Sequence, residues 1–174
     1  MELEKRKEEK VEEGNKQFVV FKLKEEDFGI DIYRVREVLK LLPITAIPHS
    51  DLYIEGVINI RGSIVPVVDL CQRFDLPENS RNNDTRIIIV EMNGDQLGLI
   101  VDEVSEVLRV SLDNIQPPPS GAQGVDNNLL EGVARCDDRL IILLKVENLL
   151  TSSEKVAFQD IKEEASKVEE AVIS

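Results

Sequence analysis

The apolar residues of this chain fall in short runs, with little helical spacing between them. The stretch 54–70, IEGVINIRGSIVPVVDL, holds two such runs, 57–60 and 64–68, around a turn centred on Arg61, Gly62 and Ser63. Runs of this length, mostly β-branched and flanking a Gly-containing turn, predict a tight β-hairpin. Gly62 can supply the positive φ that such a turn needs. Pro66, which has no N–H to donate, predicts an edge position or a bulge in the second run. The same pattern predicts strands at 17–23, 28–32, 44–47, 87–90 and 97–101, the last two joined by the favoured hairpin dipeptide Asn93-Gly94. A brief turn or helix is expected at 70–74, a loop at 77–84, and a second hairpin, 129–133 with 139–146, with Asp137-Asp138 at its tip. The stretch 33–42 and its mirror 104–110 are ambiguous. Val35, Val38, Leu39 and Leu42 have a spacing that favours one or two helical turns, yet the segment also reads as a turn leading into a strand. Only 154–174 repeats apolar residues at three and four, through Phe158, Ile161, Ala165, Val168 and Val172, which predicts an amphipathic helix packed on its own barrel, with binding to a partner as the alternative.

The second hairpin is a weaker copy of the first. Glu131-Gly132-Val133 repeats Glu55-Gly56-Val57 at an offset of 76, and the apolar run 140–144 falls on 64–68 at the same offset. Upstream the offset is 69: Phe28-Gly29-Ile30 falls on Leu97-Gly98-Leu99, and Val35, Glu37, Val38 and Leu39 fall on Val104, Glu106, Val107 and Leu108. The seven extra residues fit within the Pro/Gly/Asn-rich stretch 117–128. A period near 70 is too long for a solenoid, so two similar small units are expected. With about five strands each, they close most economically as small barrels that hide their edges. The expected divisions are a flexible charged segment 1–16, a first barrel 17–80, a second barrel 81–151 and a C-terminal helix 152–174.

Composition narrows the chemistry. Aromatics make up 4% and Trp is absent, so the core is built from Ile, Val and Leu. The net charge of −13 repels phosphate backbones and argues against nucleic-acid binding. The eleven mixed charges of residues 1–16 suit neither a packed core nor a signal peptide, and no apolar run approaches the roughly 20 residues that span a bilayer. A cytoplasmic protein is expected. Two cysteines 65 residues apart and one histidine fall short of a zinc site, so no metal or cofactor is expected. Nor does the chain look enzymatic. An aspartic dyad fails because Asp69 falls on Lys145 and Asp31 on Ile100, and no GxSxG, P-loop or GxGxxG occurs.

One asymmetry between the copies is informative. Glu37 has a counterpart in Glu106, but Arg61 falls on Asp137. Arginine suits planar contact with a carboxylate, and Glu37 is the candidate partner. An exposed pair contributes only about 0–1 kcal/mol, too little to explain the residue by stability. An ordinary surface arginine stays open as the alternative.

QFVVFKL, FGIDIYRVREVL, IPH, IEGVINIRGSIVPVVDL, GLIVDEVSEVL and LEGVARCDDRLIILLKVENLL, in that order, resemble the CheW family of bacterial chemotaxis adaptors over about residues 16–151. The resemblance implies an all-β fold of two intertwined five-stranded SH3-like barrels with short helical turns and, in this chain, a C-terminal helix. It implies a non-catalytic scaffold that couples the cytoplasmic tip of methyl-accepting chemoreceptors to the regulatory domain of a CheA-type histidine kinase, recruited to membrane-associated arrays. Carried over by position, the receptor-binding groove would include Ile32, Val35, Glu37, Arg61, Ile87 and Gly98; no residues are assigned to the kinase. A CheW-like domain cut from a kinase and a β protein with a small-molecule groove remain as alternatives.

Overall fold

The computed structural model describes residues 14–47, 54–77, 80–118, 127–150, 159–160 and 163. Twelve strands form two six-stranded sheets. Barrel I has the order β3-β7-β8-β6-β5-β4, built from β3 (Val35–Lys40), β4 (Thr45–Ala46), β5 (Ile54–Ile60), β6 (Ser63–Asp69), β7 (Arg86–Met92) and β8 (Asp95–Val101). Barrel II has the order β10-β11-β12-β2-β1-β9, built from β1 (Asn15–Leu23), β2 (Glu26–Asp31), β9 (Glu103–Ser111), β10 (Ile115–Gln116), β11 (Leu130–Cys136) and β12 (Arg139–Leu144). Each has six strands where about five were expected; the expected short strand at 44–47 is β4, and its second-copy counterpart is the two-residue β10.

The two orders become identical when each strand of the first copy is exchanged for its partner in the second, β1 for β7 through β6 for β12. The duplication is therefore present in three dimensions, but the barrels are not the two sequence copies. Each takes its first hairpin from the other copy: β1–β2 joins β9–β12, and β7–β8 joins β3–β6. The divisions 17–80 and 81–151 are corrected accordingly. Two parallel seams make the exchange, β6 on β8 and β12 on β2. The chain crosses between barrels at the 3-10 turn Ile32–Arg34 and again at Asp102. Asp102 is pinned there, accepting from the Lys24 N–H at 2.6 Å while its own N–H donates to the Lys22 carbonyl.

Strand alternation sorts the side chains into three cores. On β7, Ile87 and Ile89 point into barrel I with Ile58, Ile60, Val65, Val67 and Ile100. On β1, Phe18 and Val20 point into barrel II with Val110, Ala134, Ile141 and Leu143. A core drawn from one sheet alone requires that sheet to curl on itself, which makes each a barrel. The intervening residues Val19, Phe21, Ile88 and Val90 enter a larger third core between the barrels, where Phe28 stacks on Phe21 and Phe74. Strands buried on both faces explain why their sequences read as continuous apolar runs.

Local expectations meet the structure unevenly. Arg61-Gly62 and Asn93-Gly94 have positive φ at both positions, the geometry of a type I′ hairpin turn. The ambiguous 33–42 is a 3-10 turn followed by strand β3, and β9 is a strand throughout. Tertiary pairing to β7 and β1 overrides the helical spacing there. Pro66 is on an interior strand, not an edge, and the bulge of this hairpin lies at Ile54/Gly56. The β8 ladder begins one residue later, at Val67, so Pro66 is laddered only to β5. Residues 70–74 contain the short helix α1 (Leu70–Arg73), capped by the Asp69 carboxylate on the Cys71 N–H. Asn15 and Lys16 already belong to β1, which shortens the expected flexible segment 1–16; residues 1–13 lie outside the described ones. The C-terminal helix also lies largely outside them. Gln159, Asp160 and Glu163 are helical and exposed, and the Gln159 amide donates to Asp95 at 2.5 Å.

Candidate functional site

The tip of the β5–β6 hairpin is where the sequence placed its most distinctive charge. Arg61 occupies the first turn position with φ +49°, a conformation Asn and Gly adopt more readily than Arg. The equivalent position of the β7–β8 turn holds Asn93, also at φ +49°. The Gly62 N–H donates to the Asn59 side-chain carbonyl at 2.9 Å and steadies the turn. Arg61 reaches from this tip to Glu37 on β3, the end strand of the same sheet, so the pair spans the open side of barrel I. A single nitrogen, Nη2, donates to both Glu37 oxygens, at 3.1 and 2.9 Å. The arginine side chain keeps 74% of its surface and Glu37 keeps 29%. Nη1 and Nε make no hydrogen bond among the described residues. This is the contact expected from the sequence. A pair so exposed adds at most about 1 kcal/mol to stability, and the turn would be less strained with Asn.

The other four expected site residues lie elsewhere. Ile32 and Val35 have no exposed surface and belong to the core between the barrels; Ile87 has none either and sits inside barrel I. Gly98 is buried on β8, where an added Cβ would lie 2.6 Å from Val67 Cγ1 and 3.1 Å from Ile87 Cγ2. In the chain by itself these four lie beneath the surface as supports. Glu37 and Arg61 are the two that reach it.

Sequence reasoning missed the counterpart of this pair in barrel II. There Glu106 on β9 receives Arg139 Nη1 at 3.1 Å, and Arg139 Nε also donates to Asp27 on β2 at 3.3 Å. The bond to Glu106 is the main influence holding the guanidinium above its ordinary pKa, against desolvation. Offset 76 matches Arg61 with Asp137 and Arg139 with Ser63, so the cation has moved from the tip to the far side of the turn while its glutamate stayed in place. The available signal was that Glu106 repeats Glu37 and an arginine lies within two residues of the second tip.

A third ion cluster ties the base of the first hairpin. Arg81 Nη2 bonds both Glu55 and Asp69, the latter at 3.1 Å, and the Glu55 bond is the first reason its guanidinium is held above the ordinary value. Cys71 is buried, and its thiol is pushed up to about 12, first by burial and then by the negative charges of Asp102 and Asp69. Among the described residues no three His, Cys, Asp or Glu side chains converge as a metal site, and no helix is long and apolar enough to cross a membrane.

Two exchanged barrels with a charged pair spanning the mouth of each can now be set beside known proteins. The CheW-like domain model matches residues 17–154. The chain belongs to the CheW-like family. Among characterised members, the chemotaxis protein CheW of Klebsiella aerogenes is 35% identical over 144 residues, covering 83% of this chain and 86% of that protein. The protein of the same name from Treponema pallidum is 33% identical, covering 79% and 84%. The crystal structure of the scaffolding protein TtCheW from Thermoanaerobacter tengcongensis is similar with a TM-score of 0.75 and 45% identity, covering 80% of this chain and 94% of that one. The CheW-like fold thus spans nearly all of the described residues, and the two Arg–Glu pairs are features of this member's barrels.

Proposed function

We propose that this CheW-like chain is a chemotaxis adaptor. It couples methyl-accepting chemoreceptors to a CheA-type histidine kinase by holding both at once, without catalysis. The chain works in the cytoplasm and is recruited to membrane-associated arrays through the receptor. The observation that carries the reading is the Arg61 tip: an exposed guanidinium kept at a strained turn position, where it adds little to stability, on a barrel of a family whose solved relative is a scaffolding protein. The receptor contact includes Arg61 and Glu37, with Ile32, Val35, Ile87 and Gly98 as the packed layer that holds β3 and the hairpin in place. Signal transmission is then a coupling free energy between two interfaces.

Reconstitution tests this. Adding the chain to a receptor cytoplasmic fragment and a chemotaxis kinase should bring kinase autophosphorylation under receptor control, and Arg61→Glu should fold normally and weaken that control. A chain that leaves kinase rates unaltered with and without receptor would remove the adaptor reading and favour a ligand-binding β protein.

A further inference from the structure

The C-terminal segment lies outside both sequence copies and has no task in the docking described above. Among the described residues, it meets the barrels where the Gln159 amide donates to the Asp95 carboxylate at 2.5 Å. Asp95 is the first residue of β8, next to the Asn93-Gly94 turn. Strand β8 runs parallel to β6, with Gly98 level with Val67, so this turn projects from the same end of barrel I as the Arg61-Gly62 tip. Strand β3 also starts there: Val35 pairs with Val90, and Arg36 bonds Glu91 at 3.3 Å. The chain leaves the inter-barrel core at the buried Leu150 and by residue 159 has reached the Arg61–Glu37 end of barrel I.

The sequence of this segment is made to cover a surface. Gln159, Asp160 and Glu163 are helical and exposed. At about 100° per residue they share one side of a helix, and Phe158, Ile161, Ala165, Val168 and Val172 of the sequence fall on the other. Eleven residues follow Glu163, enough for about three helical turns. The nearby end of barrel I offers apolar surface: Tyr33 on the 3-10 turn is 57% exposed, and Ile64 at the start of β6 is only partly buried. It also presents the exposed guanidinium groups of Arg34, Arg36 and Arg61 to a segment that carries six acidic residues and three lysines over 151–174. Each of these arginines already has an acidic partner, so apolar contact is the main attachment.

We propose that residues 164–174 fold back as a strap over the Arg61–Glu37 end of barrel I, anchored by Gln159 on Asp95, and that a docking partner must displace it. The chain thereby limits its own docking. This rests on the adaptor reading and adds a regulatory element to it. The anchor is a single exposed hydrogen bond, so the strap is held weakly. Its covalent tether offsets this by keeping it at a millimolar effective concentration. The affinity for the partner falls by the fraction of molecules in which the end is uncovered.

Calorimetric titration of the full-length chain with a receptor cytoplasmic fragment containing the hairpin tip tests the proposal. Ile161→Asp with Val168→Asp removes the apolar face and alters no barrel residue. This double variant should bind the fragment about threefold to tenfold more tightly than the parent. Gln159→Glu sets two carboxylates against each other at the anchor and should tighten binding about twofold. In the free protein, the backbone amide signals of Tyr33, Arg34 and Gly94 should shift between the parent and the double variant. Binding by the double variant at the parent's affinity would overturn the proposal. Weaker binding would overturn it too, because the segment would then be part of the partner contact. Failure of the parent to bind the fragment would remove the adaptor reading; the strap would then stand or fall on the amide signals, and unshifted signals would overturn it.

Discussion

Replacing Gly98 with alanine should weaken the fold and spare docking. Gly98 pairs with Ile89 on one side and with Val67 across the parallel seam on the other, so its backbone is held from both directions. The new methyl would stand 2.6 Å from Val67 Cγ1 and 3.1 Å from Ile87 Cγ2, against an ordinary carbon–carbon separation of about 3.5–4.0 Å. Both neighbours are fully buried, β-branched and stiff at χ1, so relief must come from shifting a strand. Overpacking of this kind costs about 1–3 kcal/mol. Alanine recovers about 0.4–1 kcal/mol by restricting the unfolded chain. The net loss is about 1–2 kcal/mol, which for a chain of this size lowers the melting temperature by roughly 2–8 °C. Urea unfolding should show a lower midpoint with an unchanged slope, while receptor-fragment binding, measured well below the melting transition, stays within about twofold of the parent. An alanine variant that unfolds like the parent but loses binding would refute the reasoning and return Gly98 to the docking surface.

Other outcomes follow from the same geometry. Arg139→Met strips the mostly buried Asp27 and the exposed Glu106 of their shared cation and should cost about 1–3 kcal/mol in urea unfolding, chiefly through Asp27, whereas Arg61→Asn should change stability by less than about 0.5 kcal/mol; the reverse order would contradict the reading of Arg139 as the more structural of the two arginines. At about pH 8 a thiol reagent should label the half-exposed Cys136 before the buried Cys71, and equal rates would place Cys71 at the surface. The folded pKa of Cys71, about 12, lies above its ordinary 9.0. Its contribution to stability is therefore complete below pH 9 and is lost as pH rises toward 12. Between about pH 8 and 10.5 the parent should lose more stability than Cys71→Ala, and identical losses would contradict the burial of the thiol.

Much of the fold was legible because the relevant signals are local. The hairpin 54–70, the two type I′ turns and α1 rest on residues within a few positions of one another. The duplication was legible from two offsets. The exchange of hairpins between copies was not, because it depends on the parallel pairings Val67–Gly98 and Ile142–Phe28, which join residues far apart in sequence. The same blindness affected the site. Glu37 and Arg61 were found through the asymmetry between the two copies, and they meet in the structure. Ile32, Val35 and Ile87 are apolar residues whose burial depends on the inter-barrel and barrel I cores, which no single strand pattern reveals. Arg139 escaped because alignment by offset compares positions along the chain, whereas a guanidinium can reach the same glutamate from either side of a two-residue turn.

The central claim is that one molecule holds receptor and kinase together. Sedimentation velocity on a mixture of the chain, a receptor cytoplasmic fragment and a kinase regulatory domain tests it most directly. The account predicts a boundary containing all three that disappears when the chain is left out. Separate binary complexes that never combine, each partner displacing the other from the chain, would contradict it.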